Sequence, residues 1–278
     1  MISTYHLIIV TGCQRSGTTL LGQMLGAHPN AFLIDEPDGL YPWFDSFIEH
    51  ESFSSNQFGE LIERANLKYS DTKAKFDQEN GALKNISHLV LKAPNLAYYF
   101  DQIAGLKTTS TIAFPVRDVR AVASSMAKLP HIDMVTNQIK WLKRNLVLAE
   151  RHQNDLEKLQ DPNRSQHIKR AIVWRIKTGI FNDYQIKKLK PIIFRYEDLV
   201  STPYEYCGTI CHQANLSDSF RMLQHENFYV GIGPGSTRRS RPIDTESLAS
   251  WADHLSEQEQ LEILEEAQSL MTELGYEF

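Results

Sequence analysis

Long hydrophobic runs are missing from this sequence of 278 residues. The apolar segment Leu7–Val10 is far too short for a signal peptide or a membrane span, and no other apolar stretch approaches spanning length. Low-complexity tracts and linkers rich in glycine, proline or serine are missing as well. We therefore expect a single domain over residues 1–278, without a membrane span and located in the cytoplasm.

Cysteine is scarce, since the chain contains three, which are too few and too oddly spaced for a disulfide framework. Cys207 and Cys211 lie four residues apart in a predicted helix, next to His212. No second pair of ligands completes a metal site there. We predict a buried helix face at these cysteines and no bound metal.

An excess of positive charge is also absent. The chain has 29 Lys and Arg against 34 Asp and Glu, a net charge of −5. A general binder of nucleic acid or of anionic membranes normally shows a basic field, so this balance excludes that class. Any anionic ligand must therefore be bound by a local cluster of basic residues.

Short apolar runs alternate with helical patterns along the chain, which is typical of a parallel sheet covered by helices. The runs that we predict to be strands are Leu7–Val10, Ala31–Ile34, His88–Leu91, Thr111–Val116 and Ile192–Phe194. The predicted helices include Thr18–Ala27, Glu257–Leu274 and two long stretches, about Val135–Leu159 and His167–Leu189. The expected fold is an α/β domain with a P-loop-like central parallel sheet and helices on both faces.

The segment Gly12–Thr19, between the first strand and the first helix, has the composition of an anion-binding loop. Two glycines, Gly12 and Gly17, permit a tight turn, so that backbone N–H groups at the helix start converge on an anion. Arg15 adds a fixed positive charge. The glycine spacing is that of a nucleotide triphosphate P-loop, yet Thr18 stands where that motif requires lysine.

Four segments, in order along the chain, resemble the family of sulfotransferases that use 3′-phosphoadenosine 5′-phosphosulfate (PAPS). Gly12–Thr19 followed by Leu25–Pro29 resembles the loop and helix that bind the 5′-phosphosulfate. The run Phe114–Met126 is similar to the 3′-phosphate motif, with an arginine at a strand end and a serine eight residues later. Phe194–Leu199 and Gly235–Pro242 resemble two later cofactor segments, so the resemblance extends over nearly the whole chain.

The resemblance implies that the chain binds PAPS, and its product 3′-phosphoadenosine 5′-phosphate (PAP), through residues of all four segments. The implied cofactor-binding residues are Arg15, Ser16, Gly17, Thr18, Thr19, Arg117, Ser125, Tyr196, Ser236, Arg238 and Arg239. From the local sequence alone, Arg117 has the alternative of a surface pair with Asp118. Each basic residue of the last segment has the alternative of lying solvated on the surface.

The implied catalytic residues are Glu36, Arg15, Lys92 and Ser236. The layout is closest to the protein-tyrosine branch, because Lys92 ends a strand, Pro94 replaces the histidine of the small-molecule branch, and ungapped counting places that branch's glutamate on Glu36. A base must accept the proton of the acceptor hydroxyl, and Asp35 is the alternative to Glu36. The transition-state serine of that branch aligns on Gly235, one place before Ser236.

The sequence leaves the sulfuryl acceptor open: a small molecule, a glycan, a lipid or a peptide tyrosine fits equally well. We expect its binding walls to come from residues 40–81 and 130–137. Two alternative functions remain. A P-loop kinase or nucleotide hydrolase fits the glycine spacing but lacks the lysine, and an inactive nucleotide-binding protein would have no reason to keep Arg15, Lys92 and Glu36.

Overall fold

The computed structural model of the chain describes residues 5–36, 39–42, 45, 85–106 and 109–277. Its strands are β1 (His6–Val10), β2 (Ala31–Asp35), β3 (His88–Lys92), β4 (Ser110–Val116), β5 (Ile192–Arg195), β6 (Ile232–Gly233) and β7 (Thr237–Arg238). The first five form a parallel sheet in the order β2-β3-β1-β4-β5, and β6 pairs antiparallel with β7. The five predicted strands are confirmed, each with bounds that differ by a single residue.

The helices of the described residues connect these strands. They are α1 (Thr18–Gly26), α2 (Phe100–Ala104), α3 (Val119–Ala127), α4 (Met134–Arg144), α5 (Leu146–Arg151), α6 (Gln153–Gln160), α7 (Gln166–Gly179), α8 (Phe181–Ile186), α9 (Tyr196–Ser201), α10 (Pro203–Gln213) and α11 (Glu257–Glu273). Three short 3₁₀ helices lie at Pro94–Tyr99, Phe220–Asn227 and Pro234–Ser236.

Both faces of the sheet are buried, because the side chains of each strand alternate between two apolar clusters. Leu7 and Ile9 of β1 belong to the cluster that contains α3, α7 and α11, whereas Ile8 and Val10 pack with α1 and α10. The fold is therefore the single α/β domain that the sequence predicts. The order of the strands reverses around β1, so the carboxyl end of β1 is the position where such sheets bind ligands.

The prediction of one long helix over Val135–Leu159 is wrong, because the chain breaks there into α4, α5 and α6. Asn145 has extended backbone angles, and its side chain accepts a hydrogen bond from the backbone N–H of Leu148, so that it caps a new helix. The break leaves Leu146 81% exposed, while Leu148 is buried. The second stretch, His167–Leu189, is likewise divided between α7 and α8.

The cysteines lie where the sequence predicts them. Cys207 and Cys211 are fully buried on α10, and within the described ranges no group of His, Cys, Asp or Glu side chains is arranged to hold a metal ion. In the same part of the chain, no helix is long and apolar enough to cross a membrane.

Candidate functional site

The loop between β1 and α1 turns through three residues with left-handed backbone. Gly12 has φ 137°, Arg15 has φ 68°, and Gly17 has φ 89° at the N-terminus of α1. At Gly17 a Cβ atom would lie 2.3 Å from Cδ2 of the Tyr196 ring, so only glycine leaves room for that tyrosine. The loop thus wraps the N-terminus of α1 and brings a residue of the distant helix α9 against it.

A pocket of about 460 Å³ opens beside this loop. Of the residues that the sequence predicts for cofactor binding, it is lined by Arg15, Gly17, Thr18, Thr19, Arg117, Ser125, Tyr196 and Arg238. These residues come from segments that are distant in the sequence, and the fold brings them to the carboxyl end of the sheet.

Arg15 connects three of these segments. Its Nε donates to Ser125 Oγ at 2.9 Å on α3, and its Nη1 donates to the Gly235 carbonyl oxygen at 2.8 Å. Burial, followed by the positive charge of Arg117, lowers the pKa of Arg15. Arg15 and Arg117 thus lie close together without enough negative charge beside them to neutralise both, which is what an anion-binding site requires.

Arg117 points into the pocket and does not pair with Asp118, which instead binds Arg120 at 2.6 Å. The Arg117 guanidinium lies 4.4 Å from the centre of the Tyr196 ring and donates to the backbone oxygens of Arg15 and Ser247. Tyr196 in turn shares a hydrogen bond of 3.2 Å with Ser247 through its hydroxyl. Stacking on an aromatic face fixes the plane of the guanidinium.

Several pocket-lining residues lie outside the predicted set. Lys128 lies one turn after Ser125, so helical spacing puts both on one face. Arg241 also lines the pocket, and Asp244 holds its guanidinium through bonds of 2.6 and 2.7 Å. Gln23 and His225 line it as well, although neither stands in a recognisable motif.

Buried polar atoms face the same region. Arg117 Nε, Gln23 Nε2 and Ser124 Oγ have no hydrogen-bond partner within the described residues, and all three residues line the pocket. Buried donors without partners are costly, and a polar ligand would satisfy them. The donor set, with five Arg or Lys side chains on the lining, therefore fits a multiply charged phosphate or sulfate ester.

Lys92 and Glu36 form a second group at the ends of β3 and β2. The Lys92 ammonium is buried and lies 2.5 Å from Glu36 Oε1 and 3.2 Å from Asp35 Oδ1. Burial opposes its charge, but the carboxylates of Asp35 and Glu36 outweigh burial and raise the pKa of Lys92. Glu36 is a quarter exposed and has φ 47°, whereas Asp35 is buried. Glu36 is therefore the carboxylate of the two that a reactant can reach.

The remaining predicted residues lie away from the pocket lining. Ser236 is exposed, and its Oγ lies 3.4 Å from Nε2 of His131, while Gly235 makes the contact with Arg15. Arg239 is buried, and its Nη2 lies 3.8 Å from Asp35 Oδ2. Ser16 is buried in the loop.

Beneath the loop lies a buried lysine that no sequence motif marks. Lys177 of α7 donates from Nζ to Gln14 Oε1 at 2.9 Å and to Asn95 Oδ1 at 2.5 Å. Burial is the main cause that lowers the pKa of Lys177 from 10.5 to about 8, and the charge of Lys92 lowers it further. Lys177 therefore links Gln14, the residue before Arg15, to Asn95, which follows Lys92 in the chain.

Comparison with solved structures identifies the fold. The sulfotransferase domain from the curacin biosynthetic pathway matches with a TM-score of 0.60 and 17% identity, over 99% of this chain and 98% of that chain. The sulfotransferase domain from the Synechococcus PCC 7002 olefin synthase matches with a TM-score of 0.56 and 16% identity, over 99% of this chain and 95% of that chain. A search of curated protein sequences finds no match.

A sequence profile described as "Sulfotransferase family" matches residues 8–219, which include the anion-binding loop, Glu36, Lys92, the Arg117 segment and Tyr196. This match covers most of the chain and agrees with the fold of the two solved domains. The chain belongs to the sulfotransferase family.

Proposed function

We propose that this sulfotransferase uses PAPS as the donor and transfers its sulfuryl group in line to an acceptor hydroxyl, with Glu36 as the general base. The observation that carries the proposal is the convergence of Arg15, Arg117 and Arg238 in one pocket at the carboxyl end of the sheet, the edge at which Lys92 and Glu36 also lie. PAPS combines a 5′-phosphosulfate with a 3′-phosphate, so it requires two anion sites. The loop Gly12–Thr19 fits the first, and Arg117 with Ser125 fits the second.

The roles of the residues follow from their positions. Arg15 and Lys92 supply positive charge where negative charge grows on the donor oxygens during transfer. Tyr196 fixes Arg117 from one side through the stack at 4.4 Å. Arg238 lines the pocket from β7, and Ser236, two residues earlier in the chain, is exposed and lies outside the pocket lining.

Glu36 accepts the proton of the acceptor hydroxyl in this proposal. It is the more exposed carboxylate of the two, and its bond to Lys92 fixes its position. Asp35 is buried between Lys92 and Arg239, so it cannot meet an acceptor without leaving both cations. The glutamate base and the strand-end lysine correspond to the layout of the protein-tyrosine branch.

The acceptor side is aromatic where the structure describes it. Tyr41 lies close enough to Glu36 for its charge to raise the pKa of the Tyr41 hydroxyl, after the larger effect of burial. The ring centres of Tyr41 and Trp141 are 4.5 Å apart, and Tyr99 stacks on Tyr41 at 6.0 Å. The sequence also predicts that residues 130–137 form part of the acceptor site, and these residues are described. Trp43, Phe44 and residues 46–81, which include Phe47, lie outside the described residues.

A kinase or nucleotide hydrolase is not favoured. Such an enzyme needs a carboxylate at a strand end for Mg²⁺, and Asp35, which ends β2, already lies between the two cations Lys92 and Arg239. Thr18 also stands at the position of the P-loop lysine.

The test is transfer from radiolabelled PAPS to a panel of acceptors: 4-nitrophenol, a primary alcohol, a sugar and a tyrosine peptide. We expect Glu36→Gln to lower kcat by about 100-fold or more, within the range for loss of a general base. The matched control is Glu157→Gln, an exposed glutamate on α6, which should leave kcat unchanged. Full turnover by Glu36→Gln would refute the assignment of Glu36 as the base. If the wild type transferred no sulfuryl group to any acceptor or to water, the result would count against PAPS as the donor.

A further inference from the structure

Two neighbouring arginines of the segment 237–239 point to opposite sides. Arg238 is exposed and lines the pocket, whereas the side chain of Arg239 is 1% exposed. Arg238 ends the strand β7, and the N–H of Arg239, the next residue, is fixed by a bond of 3.0 Å to the Gly231 carbonyl oxygen. The same short segment therefore reaches both the donor pocket and the protein interior.

The interior position of Arg239 is shaped to receive it. Its guanidinium lies 5.0 Å from the centre of the Tyr229 ring. A Cβ atom at Gly233 would lie 3.1 Å from Arg239 Cγ, so the glycine leaves room for the stem of the side chain. A buried arginine needs a partner of opposite charge, and Arg239 Nη2 lies 3.8 Å from Asp35 Oδ2.

Asp35 joins Arg239 to the proposed catalytic pair. Its other oxygen, Oδ1, lies 3.2 Å from Lys92 Nζ, and Lys92 lies 2.5 Å from Glu36. The four side chains form a chain of alternating charge, from Arg239 through Asp35 and Lys92 to Glu36. Charges interact strongly in the buried interior, so removing one end shifts the balance of forces on the others.

We propose that Arg239 is a positioning residue for catalysis: by sharing Asp35 with Lys92, it fixes the Lys92 ammonium beside Glu36. Without Arg239, Asp35 would attract Lys92 more strongly and draw it away from Glu36 and from the donor. Because Arg239 and Arg238 are adjacent, closure of the donor pocket and alignment of Lys92 depend on the same segment. This inference rests on the proposed function, since it assumes that Lys92 and Glu36 are catalytic.

The experiment compares Arg239→Gln with Arg238→Gln, its matched neighbour. Two quantities are measured for each: turnover of radiolabelled PAPS with 4-nitrophenol, and the Kd of PAP by calorimetry. Arg239→Gln should lower kcat by about 100-fold, as a small misplacement of a catalytic group can, and change the Kd of PAP by less than about threefold. Arg238→Gln should mainly raise the Kd of PAP. Arg239→Lys keeps the charge and should recover most of the lost turnover.

A double-mutant cycle with Asp35→Asn tests the connection itself. If Arg239 acts through Asp35, the double variant should be no slower than the slower single variant. Additive losses of kcat in the double variant would overturn the proposal. A weakened Kd of PAP with unchanged kcat in Arg239→Gln would also overturn it, and would indicate that Arg239 binds a phosphate. Should Arg239→Gln fail to fold, the same two quantities are measured for Arg239→Lys. An unchanged Kd of PAP with a loss of kcat below about 100-fold supports the positioning role. A weakened Kd of PAP with an unchanged kcat overturns it.

The urea midpoint of unfolding, which needs no substrate, gives the same cycle a second readout. If the wild type neither binds PAP nor uses PAPS, the proposed function is refuted. Non-additive urea midpoints for Arg239 and Asp35 would still support the contact between these two residues. A wild type that turns over PAPS, with no coupling in kcat or in the midpoints, would refute the positioning role alone.

Discussion

The buried ammonium of Lys177 allows a quantitative prediction about the pH dependence of stability. Its Nζ is held by the side-chain oxygens of Gln14 and Asn95, and burial lowers the pKa of Lys177 from 10.5 to about 8. In the unfolded chain the lysine recovers its ordinary pKa. The gap between 10.5 and about 8 corresponds to about 3 kcal/mol of folding free energy.

The sign follows from proton binding. Below pH 8 Lys177 is protonated in both states, so the folded protein bears the full cost of the buried charge. Between about pH 8 and 10.5 the folded protein releases this proton first, the unfolded chain binds more protons, and the free energy of unfolding rises with pH. Lys177→Met removes the titrating group. The difference in stability, wild type minus variant, should therefore grow by about 3 kcal/mol over that window.

Urea unfolding of the two proteins from pH 6 to 10.5 measures this difference. From pH 6 to 7 the difference should be constant, which provides an internal control. Cys13 interacts with Lys177, and burial raises the pKa of Cys13 to about 12, so in the folded protein it stays protonated within the window. A difference that changes by less than about 0.5 kcal/mol between pH 7 and 10.5 would show that Lys177 is not a buried cation and refute the reasoning.

Two further predictions concern packing and capping. A Cβ atom at Gly22 of α1 would lie 2.9 Å from Lys92 Cγ, and the buried Lys92 side chain has no room to move away. Gly22→Ala should therefore lower kcat about tenfold or more, while the Kd of PAP stays within about threefold. Unchanged turnover in the radiolabelled PAPS assay would contradict the placement of Lys92. Asn145→Ala removes the cap of α5 and should lower the free energy of unfolding by about 1 kcal/mol in urea titrations. The control Asn154→Ala, on the exposed surface of α6, should cost less than about 0.5 kcal/mol, and equal losses in the two variants would argue against the cap.

Patterns of local sequence were enough to predict the sheet, whereas the residues assigned to the proposed donor pocket came from the resemblance to the sulfotransferase family. The strands are short apolar runs, and their regular alternation with helices fixes the fold class, as the two faces of β1 confirm. Arg15, Arg117 and Tyr196 line one pocket because their motifs follow strand ends, and parallel strands bring their carboxyl ends to one edge. For Lys128 the sequence provides a weaker indication, namely that it lies one turn after Ser125, a predicted cofactor-binding residue of α3.

The buried charges beneath the pocket could not be predicted in the same way. Whether Arg239 faces a phosphate or Asp35 depends on the register of the two-residue strand β7 that it follows, and a shift by one residue reverses that choice. Lys177 sits in a helix of mixed charge, and its pairing with Gln14 joins residues that are distant in the chain. The break at Asn145 was missed because the capping side chain interrupts a pattern that is otherwise helical on both sides.

The central claim is that the pocket binds the two anionic groups of PAPS, and calorimetric titration with PAP tests it most directly. The wild type should bind PAP tightly without a metal ion and prefer it clearly over ATP with Mg²⁺. In Arg117→Ala the affinity for PAP should fall by about 10- to 100-fold, because a charge-assisted contact to a phosphate is lost. Binding of ATP only with Mg²⁺, and no response to PAP, would contradict the account.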